Sequence, residues 1–237
     1  MKTTFSSIFL NLFLFTTTIS PLTAIIHDSS GNKLLHGIPY YILPLLRGSG
    51  GGLTVSQTTK NTCPLNITQE PFEVNRGTPF TFNPIVLDEQ FIRGAYPLSI
   101  EADVINPCSG SKIWKVESTT SSKNNGDTFV TSVTVRDSNS KKKDDDDDDD
   151  NDKGVDIVTT GGEFNKPESC FQIVEDVMMP GLQSYQIQNC PFKCGSSDDG
   201  FTCYNVGVVT DVDGNGYLGR TDAMFPVVFE SSYGTYV

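Results

Sequence analysis

The sequence predicts an all-β domain, a barrel or a sandwich, and three observations carry that reading. Apolar residues fall in short runs dominated by β-branched and aromatic side chains, several of them alternating with a period of two. Clusters of glycine and proline separate the runs and set turns. Nowhere do apolar residues keep a helical period of about 3.6 residues over successive turns, so helix should be nearly absent.

Taken in order, the chain opens with a processing signal. Lys2 gives a weakly positive start, Ile8 to Phe15 is apolar except for Asn11, and Leu22-Thr23-Ala24 offers a small residue for cleavage. A cut after Ala24 leaves 237 − 24 = 213 residues. The expected strands then follow: Tyr40-Tyr41-Ile42-Leu43, Phe80-Thr81-Phe82, Leu98-Ser99-Ile100, Ile113-Trp114-Lys115-Val116, Cys170-Phe171-Gln172-Ile173-Val174, Tyr185-Gln186-Ile187 and Val206-Gly207-Val208-Val209. Turns are expected at Gly48-Ser49-Gly50-Gly51-Gly52, Arg76-Gly77-Thr78-Pro79 and Met179-Pro180-Gly181.

One segment breaks this texture. Lys141-Lys142-Lys143 runs into Asp144 through Asp150 and then Asn151-Asp152-Lys153. Consecutive carboxylates repel one another and offer nothing to bury, so ordering them would return no apolar energy against chain entropy. Residues 138–153 are therefore expected to form a disordered acidic insertion. Strand-like residues flank it, Phe129 to Val135 before and Val155 to Thr160 after, which places it within one domain, residues 25–237. A cation site is not expected there, because hard cations need a fixed oxygen cage.

Composition excludes several function classes. With 17 basic and 29 acidic residues the formal charge is −12, which opposes nucleic acid and anionic membranes as partners. No later stretch approaches the roughly 20 apolar residues of a membrane helix. The expected location is secreted, in the apoplast, or vacuolar. Six cysteines, Cys63, Cys108, Cys170, Cys190, Cys194 and Cys203, lie beyond the signal. An even count in an oxidising compartment points to disulfides, with the pairing left open by spacing alone. No complete zinc-ligand spacing accompanies them, and neither metal nor cofactor is expected.

The stretch Ile26-His27-Asp28-Ser29-Ser30-Gly31-Asn32-Lys33-Leu34-Leu35-His36-Gly37-Ile38-Pro39-Tyr40-Tyr41-Ile42-Leu43-Pro44 resembles the opening signature of the plant Kunitz-type, soybean-trypsin-inhibitor-like family. The likeness continues through Arg47 to Leu53, Cys63-Pro64-Leu65, Pro97 to Ile100, Ile113-Trp114, Thr160-Gly161-Gly162, Tyr185 to Pro191 and Asn205 to Val208, nearest to the legume and miraculin-like branches. This resemblance implies a β-trefoil, with strands closing a short barrel, others capping it in hairpins, and loops carrying the function. It implies disulfides Cys63–Cys108 and Cys190–Cys203, and Cys170–Cys194 completes the set, although Cys170 stands where the family commonly has Trp.

Inhibitory members of the family hold an extended, substrate-like loop in a protease's cleft. Matching Gly77 and Pro97-Leu98-Ser99 to the family places that reactive loop at Asn83-Pro84-Ile85-Val86-Leu87-Asp88, with Val86 or Leu87 aimed at the primary pocket. Trypsin-directed members carry Arg or Lys there. A branched aliphatic side chain would leave the buried carboxylate of a trypsin-like pocket unpaired, so the expected target has an apolar pocket. The family's loop-supporting Asn aligns with His36, whose imidazole can donate one hydrogen bond in place of the amide's two. Arg93-Gly94, close by, reads as a strand-end turn.

Competing signals are weaker. Asp211-Val212-Asp213-Gly214-Asn215-Gly216 with Asp222 has calcium-loop spacing, but strand-like residues flank it, Val206 to Val209 and Phe225 to Phe229, so it is expected to turn a hairpin. Asn66-Ile67-Thr68 is a glycosylation sequon in a chain expected to be secreted. His27 and His36 are the only imidazoles, and no nucleophile elbow or paired-acid motif accompanies them, so the chain is expected not to be an enzyme. The leading expectation is a monomeric Kunitz-type inhibitor of an endopeptidase, serine before cysteine. The contrasting one is a trefoil without inhibition, serving storage or ligand binding.

Overall fold

A computed structural model describes residues 24–56, 63–86, 89–105, 107–118, 156–176, 182–197, 200–210 and 214–233. The expected signal segment up to residue 23, the strand-like Phe129 to Val135, the acidic insertion 138–153, and Leu87 and Asp88 of the expected loop lie outside the described residues. Those residues form twelve strands and, apart from two short 3-10 turns at Pro167–Ser169 and Pro191–Cys194, no helix.

The strands are β1 (Pro39–Pro44), β2 (Leu53–Ser56), β3 (Asn66–Gln69), β4 (Phe80–Pro84), β5 (Leu98–Ala102), β6 (Lys115–Ser118), β7 (Asp156–Thr159), β8 (Phe171–Glu175), β9 (Tyr185–Asn189), β10 (Tyr204–Thr210), β11 (Gly216–Arg220) and β12 (Val227–Ser231). Six of them, in the order β12-β1-β4-β5-β8-β9, pair antiparallel, and Val227 opposite Tyr185 joins β12 to β9 and closes the ring. Closure removes the free edges that an open sheet would expose. The other six form hairpins β2–β3, β6–β7 and β10–β11. The hairpins meet one another through Tyr217 opposite Thr68, Gly219 opposite Ile157 and Asn66 opposite Thr159. Each third of the chain thus repeats barrel strand, hairpin, barrel strand, and the fold is a β-trefoil.

Period-two alternation explains the barrel. On β4, Phe80 and Phe82 are fully buried and Thr81 between them is not. Their rings meet others edge to face: Phe80 against Trp114 at 5.0 Å, Trp114 against Phe171 at 5.8 Å, and Phe82 against Phe229 at 5.2 Å. Edge-to-face contact sets the positive rim of one ring against the negative face of the next, adding to the apolar area removed from water.

Two sequence expectations are corrected here. Besides its two-residue pairing with β9, β10 pairs from Val206 to Thr210 with β11, with Thr210 opposite Gly216, so the hairpin's second arm is β11 and not Phe225 to Phe229. That stretch instead leads into β12, which pairs with β1 in the barrel. Asp211 to Asp213 lie outside the described residues. Cys170 stands just before β8 as the C-cap of the first 3-10 turn.

All six cysteines are paired, Cys63–Cys108, Cys170–Cys194 and Cys190–Cys203, closing spans of 45, 24 and 13 residues. The sequon residue Asn66 is only 5% exposed and sits in β3 between Ser56 of β2 and Thr159 of β7. A glycan on its amide would have to leave through that seam.

Candidate functional site

The segment between β4 and β5 begins from a paired base. Asn83 lies opposite Ser99 and Pro84 opposite Leu98, and the ladder is prolonged by Ile85, whose N–H donates to the Pro97 carbonyl at 3.0 Å. Directly after this last tether the chain turns outward. Val86 is 64% exposed, whereas Ile85 is half-buried. Of the six expected loop residues, Asn83 to Val86 are therefore described, with Val86 presented to solvent at the end of an anchored leg.

The returning leg is held by the N-terminal segment. Asp28 is 4% exposed, and its carboxylate accepts the Ser30 and Asn32 N–H groups, each at 2.9 Å. Gly31 sits there at φ 81°, a left-handed conformation that glycine adopts without steric cost. This closes a tight turn, so that His27 lies opposite Lys33. Both arms of the turn then pair with the loop: on the second, Leu35 lies opposite Phe91 and the Leu34 carbonyl accepts the Ile92 N–H at 2.9 Å, and on the first, Ile26 donates to the Ile92 carbonyl at 3.0 Å. Buried Ile26, Leu34 and Ile92 fasten this three-way contact to the core.

His36 supports the loop differently from the sequence expectation. Its backbone N–H donates to the Gln90 carbonyl at 2.9 Å, while its side chain is exposed and its imidazole has no hydrogen-bond partner among the described residues. The neighbouring Gly37 N–H donates to the Phe82 carbonyl at 3.3 Å. Support comes from the main chain, which any residue at position 36 other than proline would supply.

Arg93 is engaged within the loop. Its guanidinium pairs with the Glu89 carboxylate four residues earlier, and that hydrogen bond and charge raise its pKa further. Arg93 lies opposite Ile25, and the chain turns at Gly94 and Ala95, in keeping with the strand-end turn expected there. The Gly94 N–H donates to the carbonyl of Ala24, the residue before the expected cleavage point. The Glu89–Arg93 pair and the Leu34, Leu35 and Ile92 contacts were missed by sequence reasoning. Only the four-residue spacing of opposite charges signalled any of them.

A strongly exposed aliphatic residue on a loop tied down at both legs suits entry into a concave partner. The family model for plant Kunitz-legume proteins, described as trypsin and protease inhibitors, matches residues 26–147 and 143–231. The chain belongs to this family. Among its Kunitz relatives, miraculin of Synsepalum dulcificum is 30% identical over 215 residues, covering 86% of this chain and 82% of that one. The alpha chain of a Kunitz-type trypsin inhibitor of Neltuma juliflora is 40% identical over 95 residues, 38% of this chain and 68% of its own. A Kunitz trypsin inhibitor of Arabidopsis thaliana is 49% identical over 59 residues, 25% of this chain and 30% of its own. The structure of a Kunitz-type cysteine protease inhibitor from potato superposes with a TM-score of 0.66 at 20% identity, covering 90% of this chain and all of that one, a likeness of fold.

Proposed function

We propose that this Kunitz-family chain is a secreted or vacuolar, monomeric inhibitor of an endopeptidase with an apolar primary pocket, a serine protease before a cysteine protease. It occupies the enzyme's cleft with the loop 83–88 and catalyses nothing itself. The observation that carries this reading is Val86, 64% exposed immediately beyond the Ile85 to Pro97 tether. Preorganisation supplies the mechanism. A loop whose legs are already anchored loses less conformational freedom on binding, which favours affinity. After any cleavage, the anchored legs keep the new ends side by side, so re-ligation competes with hydrolysis.

The test is titration of a panel of trypsin, chymotrypsin, elastase, subtilisin and a papain-like enzyme with the disulfide-intact chain. Stoichiometric inhibition of an enzyme with an apolar pocket is expected. Stronger inhibition of trypsin than of the others would overturn the specificity, and inhibition of none would overturn the function and favour a storage or ligand-binding trefoil.

A further inference from the structure

We propose that Lys193, on the disulfide-bonded turn after β9, is a positioning residue for the β4–β5 loop, clamping its returning leg through the carbonyl of Ala95. The proposal rests on the inhibitory reading of that loop. Lys193 Nζ donates to the Ala95 carbonyl at 2.6 Å, across 98 residues of sequence. Ala95 is one of two non-glycine residues with positive φ among those described, at 60°. Such a conformation is unfavourable for a residue with a Cβ and persists where its surroundings over-determine it. Here both of its peptide groups are held, since the Ala95 N–H donates to the Ile173 carbonyl of β8 at 2.7 Å. Two residues later the Pro97 carbonyl receives the Ile85 N–H, so the path of Ala95 fixes the acceptor that anchors the residue before Val86.

Lys193 is itself fixed. Its turn is bracketed by Cys190, bonded to Cys203, and Cys194, bonded to Cys170, and its N–H donates to the Cys190 carbonyl at 3.0 Å. Its second acceptor is the amide oxygen of Gln172 on β8. Gln172 is 5% exposed and donates to Gln188 Oε1 of β9 at 2.6 Å, and Gln188 in turn donates to Asn205 Oδ1 of β10 at 2.9 Å. A row of amides across three strands thus aims one oxygen at the ammonium. Among the described residues no carboxylate pairs with Lys193: its acceptors, a backbone carbonyl and an amide oxygen, are neutral, and the partial burial of this half-buried ammonium lowers its pKa. An ammonium spent on a backbone carbonyl and an amide acts as a tether.

The experiment compares Lys193→Met, which keeps the stem and loses the donors, with Lys193→Arg, which restores donors. Amide hydrogen exchange of Ile85 and Ala95 is measured beside inhibition of the enzyme that the unaltered protein inhibits best. Lys193→Met should raise exchange at Ile85 and Ala95 at least 10-fold, leave Ile42 and Phe229 of β1 and β12 unchanged, and weaken inhibition about 10-fold. Lys193→Arg should recover most of both. Unchanged exchange at Ile85 and Ala95 would overturn the clamp, as would an equal rise across the barrel, which marks a merely structural role. If the unaltered protein inhibits no protease while Lys193→Met still loosens Ile85 and Ala95, the clamp stands and the inhibitory reading falls.

Discussion

Replacing Val86 with arginine tests the chemistry of the loop with little disturbance of the fold. The side chain is 64% exposed, and substitutions at such positions usually move stability by no more than about 0.5 kcal/mol. The tether beside it uses only main-chain atoms of Ile85 and Pro97, so the frame stays as it is. Against trypsin the change replaces an aliphatic group, which strands the pocket carboxylate, with a partner that pairs with it. A hydrogen bond to a charged group contributes about 1.5–3 kcal/mol, and leaving a buried charge unpaired costs about 3–5 kcal/mol. Taking about 3 kcal/mol as a conservative gain, trypsin inhibition should tighten on the order of 100-fold, at about 1.4 kcal/mol per decade. Inhibition constants for trypsin and for elastase, measured with thermal unfolding on both proteins, check this. Trypsin affinity should rise, elastase affinity should fall, and the unfolding midpoint should hold. An unchanged midpoint with no gain against trypsin would refute the assignment of Val86 as the pocket residue, and a gain from Leu87→Arg instead would move that role one position on.

The remaining predictions concern stability. Closing spans of 45, 24 and 13 residues restricts the unfolded chain by about 4.0, 3.4 and 2.9 kcal/mol, so replacing Cys63 and Cys108 by alanine should lower the unfolding free energy most, as urea denaturation of the three double variants would show. Tyr40 and Tyr185, each 3% exposed, accept the Leu35 and His27 N–H groups through their hydroxyls, and burial raises both pKa values. The unfolded chain releases these protons near pH ~10 while the folded chain retains them, so their contribution is complete below that pH and is lost as pH rises through the folded values. Urea midpoints between pH 8 and 12 should therefore decline, and less steeply in the Tyr40→Phe, Tyr185→Phe protein.

The barrel was legible in the sequence because its strands bury alternate residues, as Phe80 and Phe82 do, and that pattern survives in one dimension. The hairpin strands β2, β3 and β11 were not. Their sequences, Leu-Thr-Val-Ser, Asn-Ile-Thr-Gln and Gly-Tyr-Leu-Gly-Arg, are too short to show a period, and what buries them is contact among the three hairpins. The same limit explains why β10 was matched with the wrong arm. At the candidate site, Asn83 to Val86 could be located through the family motifs, but the supports could not. Hydrogen bonds such as His36 N–H to Gln90 carbonyl use groups that nearly every residue owns, so side-chain identity carries no trace of them. Lys193 and Ala95 are far apart in the chain, and neither belongs to a motif.

The β6–β7 hairpin has a practical consequence. Ser118 and Asp156 face each other in register, and the serine hydroxyl donates to the aspartate carboxylate at 2.5 Å. Whatever polypeptide joins them departs from and comes back to a single doorway in the cap, and closing a longer span costs only about 0.6 kcal/mol per doubling. Exchanging 119–155 for a short turn, or for an unrelated peptide, should leave the trefoil folded with its far-UV signature intact. The cap would then be a port at which segments of unrelated length and sequence can be spliced in while the barrel stays as it is.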